Sequence, residues 1–186
     1  PESYTVFVAG CNFKCLGCQN WTISQFPDNR MAVDGYLDPQ TLAAESIRML
    51  DSTAGILMGA DRIFFSGGEP TIHLPFIEKV MEKARLVKPG LKVNYDTNGF
   101  MTEESLSRVL TFTTSLTFDI KAYYDDTMRA ITGAPVEPVL RNAEIVGRTA
   151  SDKLWEYRIV AIPGINENDI EPLCHFLASL SIDLPV

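Results

Sequence analysis

Apolar and polar positions along the chain switch repeatedly between the two periods of regular structure. Tyr4 to Gly10 is a β-branched and aromatic run closed by glycine and reads as a fully buried strand. Gln19 to Asp38 has no period and contains Pro27, Asp28, Asn29 and Gly35, so a loop is expected. Asp38-Pro39 then has the form of an N-cap with proline at the first helical position, ahead of an apolar stripe at Leu42, Ile47 and Leu50. Arg62 to Ser66 predicts a second strand, and Leu74 to Val87 a helix that buries Phe76, Ile77, Val80, Met81 and Ala84. A third strand is expected over Lys92 to Asp96. Thr102 caps the next helix, with Glu103 and Glu104 suited to its first turn. Ser115 to Ile120 predicts a fourth strand, followed by a short helix from Asp125 to Ile131 and a longer one from Pro135 to about Ala150. Trp155 to Ala161 is the fifth strand, closed by Pro163-Gly164, and Glu167 to Leu180 the last helix.

Five strand-then-helix units in series imply an α/β fold on a parallel sheet with right-handed crossovers. Ligands of such sheets bind at the carboxyl ends of the strands. Five segments with chemical character fall there: Cys11 to Cys18, Gly67-Gly68-Glu69-Pro70, Asp96-Thr97-Asn98-Gly99, Asp119-Ile120-Lys121 and Pro163-Gly164. Each follows a different predicted strand, so one face collects them all.

Composition narrows the classes. The 186 residues suit one domain, and 46% hydrophobic with 22% charged residues is an ordinary globular balance. A net charge of −8 argues against a nucleic-acid partner, which would want a basic face. No apolar stretch has the length of a membrane span and no secretory leader opens the chain, so no membrane partner is expected. Clustered cysteines do not read as a disulfide framework, and the expected compartment is the cytoplasm. The chain stops at Ile182-Asp183-Leu184-Pro185-Val186, where another strand would begin, and it is expected to be a piece of a longer protein.

The chemistry centres on Cys11, Cys15 and Cys18, spaced C-x3-C-x2-C. A structural zinc site needs four protein ligands, and the fourth is missing locally. Cys174, His175 and His73 lie in other segments and read as structural. An iron-sulfur cluster accepts thiolates at this spacing, and three of them leave one iron of a 4Fe-4S cube open. A zinc-bound structural domain and an iron-sulfur electron carrier stand as the non-enzymatic alternatives. Asp96 and Asp119 end neighbouring strands, and paired buried carboxylates need a proton or a cation between them. For Asp96 alone, a strand-end cap before Asn98-Gly99 is the alternative.

The cysteine spacing resembles that of radical S-adenosylmethionine (SAM) enzymes, and Ser66-Gly67-Gly68-Glu69-Pro70 is similar to their GGEP motif. Tyr95 to Gly99, Phe118 to Lys121 and Arg158 to Asn166 resemble the DTNG, DxK and R-x4-PG-x-N segments of glycyl radical enzyme activating enzymes, the pyruvate formate-lyase type among them. The resemblance implies a parallel-stranded, open, partial (βα)6 barrel with about five units present. It implies a 4Fe-4S cluster on Cys11, Cys15 and Cys18, and SAM contacts from Gly17, Gln19, Ser66, Gly67, Gly68, Glu69, Asp96, Asn98, Asp119, Lys121, Tyr123 and Arg158. Glu69 and its strand's backbone would receive the methionyl ammonium. For Arg158 a structural salt bridge is the alternative. A monovalent cation would lie among Asp96, Thr97, Thr117 and Asp119. No catalytic side chain is assigned. Members often carry an aromatic residue before the last cysteine to contact adenine. Here that position is Gly17, and the adenine contact is expected from Phe13, Trp21 or elsewhere. The resemblance further implies reductive SAM cleavage to a 5′-deoxyadenosyl radical, a protein or peptide substrate, and reduced flavodoxin or ferredoxin as electron donor. A C-methyltransferase with a cobalamin module outside this chain is the alternative chemistry.

Overall fold

The structure, a computed structural model, describes residues 2–186. Five strands, β1 (Ser3–Val8), β2 (Arg62–Gly67), β3 (Lys92–Thr97), β4 (Ser115–Asp119) and β5 (Leu154–Arg158), form one all-parallel sheet in the order 1-2-3-4-5. Helices α1 (Trp21–Ser24), α2 (Pro39–Leu50), α3 (Thr53–Leu57), α4 (Leu74–Val87), α5 (Glu103–Phe112), α6 (Asp125–Thr132), α7 (Glu137–Thr149) and α8 (Glu167–Leu180) fill the connections. Sequential neighbours in a twisted sheet curl it into an open part of a barrel.

Alternation along the strands separates two faces. Ile63 and Phe65 of β2, Val93 and Tyr95 of β3, Leu116 and Phe118 of β4, and Tyr157 of β5 are sealed against the helices. Each such side chain withdrawn from water stabilises the fold by about 2 kcal/mol. Leu42 and Leu50 of α2, Ile77, Val80 and Met81 of α4, Val109 of α5, Val146 of α7 and Leu173 of α8 close that layer. The intervening positions, Arg62, Phe64, Ser66, Asn94, Asp96, Thr117, Asp119 and Arg158, face the lumen.

The predicted caps hold: Asp38 accepts from the Gln40 and Thr41 amides, and Thr102 from Ser105. Other expectations are corrected. β1 is not fully buried, because it is an edge strand whose lumen side lacks a neighbour; Phe7 is 59% exposed. The segment after the cysteines contains the short helix α1. α3 carries no inward apolar stripe to announce it and is held by its Ser52 cap. α7 starts at Glu137, and β5 leaves the ladder at Arg158, where Val160 and Ala161 turn out to solvent. The segment after α8 lies beside β5, with the Tyr157 amide donating to the Pro185 carbonyl at 2.8 Å. No helix among the described residues is long and apolar enough to cross a membrane.

Candidate active site

The cysteine loop leaves β1 through Gly10, whose φ of +86° suits glycine. Its backbone is tied down at three places: Gly10 N–H to the Ile23 carbonyl (2.8 Å), Lys14 N–H to Thr132 (2.8 Å) and Leu16 N–H to Ile131 (3.1 Å). Phe13 anchors the loop in the core, 1% exposed and tilted against Phe100 at 5.4 Å. The three thiols are free and half-buried. Burial pushes the Cys11 thiol up to about 11 and raises that of Cys15, where the Lys121 charge opposes the shift. Polar side chains address the sulfurs: the Asn98 amide donates to Cys11 Sγ (3.8 Å), and Cys18 Sγ lies 3.7 Å from the Ser24 hydroxyl.

The Gly67-Gly68 pair is required by this loop. A Cβ on Gly67, whose φ is +112°, would meet the Val8 backbone, and one on Gly68 would overlap the Gly10 carbonyl. The close contact is sealed by Gly68 N–H to Val8 O (2.8 Å) and Glu69 N–H to Gly10 O (2.9 Å). Glu69 itself is 1% exposed. Its Oε1 accepts from Thr71 N–H (3.0 Å), Thr71 Oγ1 (2.5 Å) and Thr97 Oγ1 (2.8 Å), and its Oε2 from Asn98 N–H (2.8 Å). The carboxylate therefore brackets two strand-end loops, which leaves little of it for an ammonium ligand. Burial raises its pKa while these donors pull the other way. In Glu69→Gln an amide N–H must face one of the donors, so the variant is expected to lose about 2 kcal/mol, read by urea unfolding.

Asp96 and Asp119 meet across Arg158. Its Nη2 donates to Asp96 Oδ1 (2.7 Å) and its Nε to Asp119 Oδ1 (2.6 Å). Ser66 Oγ donates to Asp96 Oδ2 (2.8 Å), and Lys121 Nζ to Asp119 Oδ2 (2.9 Å). Burial pushes the Asp96 carboxyl up, and Arg158 opposes it. Burial also works against the Lys121 charge, but Asp119 outweighs it and holds the ammonium above the usual lysine range. The positive charge expected between the carboxylates is thus the chain's own guanidinium. The side chains of the expected monovalent-cation set do not all share one face. Asp96, Thr117 and Asp119 share the lumen face, but Thr97 points to the opposite face, where its hydroxyl serves Glu69 and the Gly99 amide.

Gly17 and Gln19 are exposed at the tip of the cysteine loop. Tyr123 packs edge-on to Tyr124 at 5.3 Å and tilts toward Phe176 at 6.4 Å. Asn98 is committed to the loop through Asn12 Oδ1 (2.7 Å) as well as Cys11. Phe13 is unavailable for adenine, whereas Trp21 is 55% exposed beside the loop. His73 donates to the Ala9 carbonyl at 2.7 Å as its Nε2–H tautomer, a structural role. Cys174 and His175 are exposed on α8. Sequence reasoning missed Asn12, Asn20, Ser24 and Gln25, which brace the loop, and Asp169, which accepts from the Tyr123 and Tyr124 amides at 2.7 and 2.8 Å. For Asn20, Ser24 and Gln25 the available signal was a density of polar side chains directly after the cysteines.

Among the described residues no three His, Cys, Asp or Glu side chains converge on a point where a single ion could sit. Three thiols from one short loop instead fit a cluster, whose separate iron corners each take one thiolate. The profile of the Radical SAM superfamily matches residues 5–177, and the chain belongs to that superfamily.

Within it, the chain is 28% identical over 173 residues to an uncharacterized protein of Methanocaldococcus jannaschii, covering 91% of this chain and 46% of that one. It is 28% identical over 191 residues to the pyruvate formate-lyase-activating enzyme of Staphylococcus aureus, covering 95% and 69%. The crystal structure of a domain of a pyruvate formate-lyase-activating enzyme from Bacteroides vulgatus superposes with a TM-score of 0.53 at 27% identity, over 62% of this chain and 71% of that one. SuiB of Streptococcus suis, solved with SAM bound, shares the fold: TM-score 0.67, 17% identity, 98% of this chain and 39% of that one. The chain thus spans less than half of the first of these relatives.

Proposed function

We propose that this chain is the core of an enzyme that cleaves SAM reductively and uses the resulting radical to take a hydrogen atom from a protein or peptide substrate. The observation that supports this most is the donor set: one braced loop offers three thiols, and among the described residues the fourth cysteine, Cys174, lies on α8. Cys11, Cys15 and Cys18 would hold a 4Fe-4S cluster. When bound, that cluster supplies the electron that breaks a carbon-sulfur bond of SAM, giving methionine and a 5′-deoxyadenosyl radical.

The chain's own residues bind and orient. The strand-end backbone at Gly67 and Gly68 lies against the cysteine loop, so ligand atoms held there stay close to the thiols. Arg158 and Lys121 stand over two carboxylates, and their remaining N–H donors can take a carboxylate or ribose hydroxyl of SAM. The half-buried setting limits water around a reactive intermediate. The likeness to activating enzymes supports the protein or peptide substrate, and reduced flavodoxin or ferredoxin is the corresponding electron donor. Nothing in the described residues favours the cobalamin-dependent methylation reading.

Reconstituted, reduced protein incubated with SAM is expected to form 5′-deoxyadenosine; an intact cluster without that product would overturn the proposal. A smaller expectation concerns adenine. No atom lies within 4 Å of a Cβ placed on Gly17. Gly17→Tyr should leave the melting temperature unchanged and tighten SAM binding several-fold in calorimetry, by supplying a stacking face worth roughly 1 kcal/mol.

A further inference from the structure

Beneath the Arg158 pair the barrel lumen holds a cavity of about 180 Å³. Its walls are Ser3 of β1, Arg62 and Phe64 of β2, Asn94 of β3, Thr117 of β4, and Trp155 and Glu156 of β5, with Arg158 above. Asn94 lies two residues before Asp96, so this level is about 7 Å deeper in the lumen than the carboxylate. The volume exceeds what one or two waters need, since each takes about 30 Å³ of liquid.

Its polar groups are unevenly matched. Asn94 is 8% exposed; its Nδ2 donates to Thr117 Oγ1 at 3.4 Å, and its Oδ1 is buried and accepts from nothing among the described residues. No neighbouring donor reaches that oxygen. Arg62 is held by Asp61 at 2.7 Å, reaches Ser115 Oγ at 3.5 Å and lies over the Trp155 ring at 5.8 Å. Arg158 is taken by Asp96 and Asp119, and reaches Glu156 only at 3.9 Å. What remains is an acceptor without a donor, a loosely paired carboxylate and two aromatic walls. The complementary ligand carries N–H donors on a short apolar stem.

We propose that this cavity is a substrate subsite that receives an amide or amine group, with Asn94 as its recognition residue. The inference deepens the peptide-substrate reading and rests on it for the ligand's origin. Buried acceptors are rarely left unpaired, because the lost hydration is not replaced. An unpaired one kept in a cavity of this size is what a binding residue looks like before its ligand arrives. Arg158 lines the subsite and also meets Asp96 and Asp119 at the strand ends, which connects the subsite to the face proposed for SAM.

The test uses the purified full chain and three probes, acetamide, methylammonium and acetate, followed by the Asn94 side-chain and Trp155 indole NMR signals. Acetamide and methylammonium are expected to shift both signals saturably, and acetate to do neither. Asn94→Leu should bind acetamide at least 10-fold more weakly, since it removes the accepting oxygen. Asn94→Asp should retain methylammonium binding, which keeps the test valid if the leucine variant does not fold. Absence of saturation or equal binding of acetate would overturn the proposal. None of these measurements needs the cluster or SAM, so their failure and the failure of SAM cleavage are separate results.

Discussion

Cys15→Ala is expected to fold normally and to lose both iron and SAM cleavage. The loop on either side of Cys15 is anchored through its backbone, by Lys14 to Thr132 and Leu16 to Ile131, and through the Phe13 ring. Removing a half-buried thiol breaks none of those bonds, so circular dichroism and the melting temperature should match the wild type. The ligand loss is of another order. Disturbing only the outer partners of a metal ligand costs 10- to 100-fold, and deleting one of three ligands should lower 5′-deoxyadenosine formation by at least about 100-fold. Iron analysis beside the melting curve separates the two effects. A variant that keeps its full iron content would show that Cys15 is not a ligand.

The second large effect is expected at Gly68, for a steric reason. In Gly68→Ala the new methyl would overlap the Gly10 carbonyl. That carbonyl cannot retreat freely: it accepts from Glu69 N–H at 2.9 Å, and Gly10 N–H is bonded to Ile23 at 2.8 Å. Relief requires β1 and the cysteine loop to move off β2, which breaks at least one of these bonds. Overpacking of about 1–3 kcal/mol and a lost buried hydrogen bond of about 1–3 kcal/mol together predict about 2–6 kcal/mol of destabilisation, measured by urea unfolding. A change below 1 kcal/mol would show that the loop yields easily. Gly17→Ala provides the contrast, because its Cβ meets open space.

The elements whose apolar faces are sealed were legible in the residues alone. Leu74 to Val87 and Glu167 to Leu180 have the bounds their periods predict, and Asp38 and Thr102 cap where expected. Local pattern says nothing about which strand lies at an edge, and for that reason β1 looked buried. α3 has no face to bury: Ile56 and Leu57 are exposed, so periodicity could not announce it. The site was legible as a collection of strand-end motifs, but the pairings inside it were not. That Arg158 spans both Asp96 and Asp119, that Glu69 is bonded by Thr71, Thr97 and Asn98, and that Gly68 is needed by Gly10 are facts of packing between distant segments. Thr97 illustrates the limit. It adjoins Asp96 in sequence, and the pleat sends it to the other face.

The central claim is that the polypeptide supplies ligands to three irons and leaves the fourth for SAM. Mössbauer spectroscopy of anaerobic protein reconstituted with isotopically enriched iron, recorded with and without SAM, tests it most directly. The account predicts a 4Fe-4S spectrum in which a single iron site changes on addition of SAM while the other three stay as they were. A cluster whose four sites are all indifferent to SAM, or a protein that takes up zinc in place of iron, would contradict it.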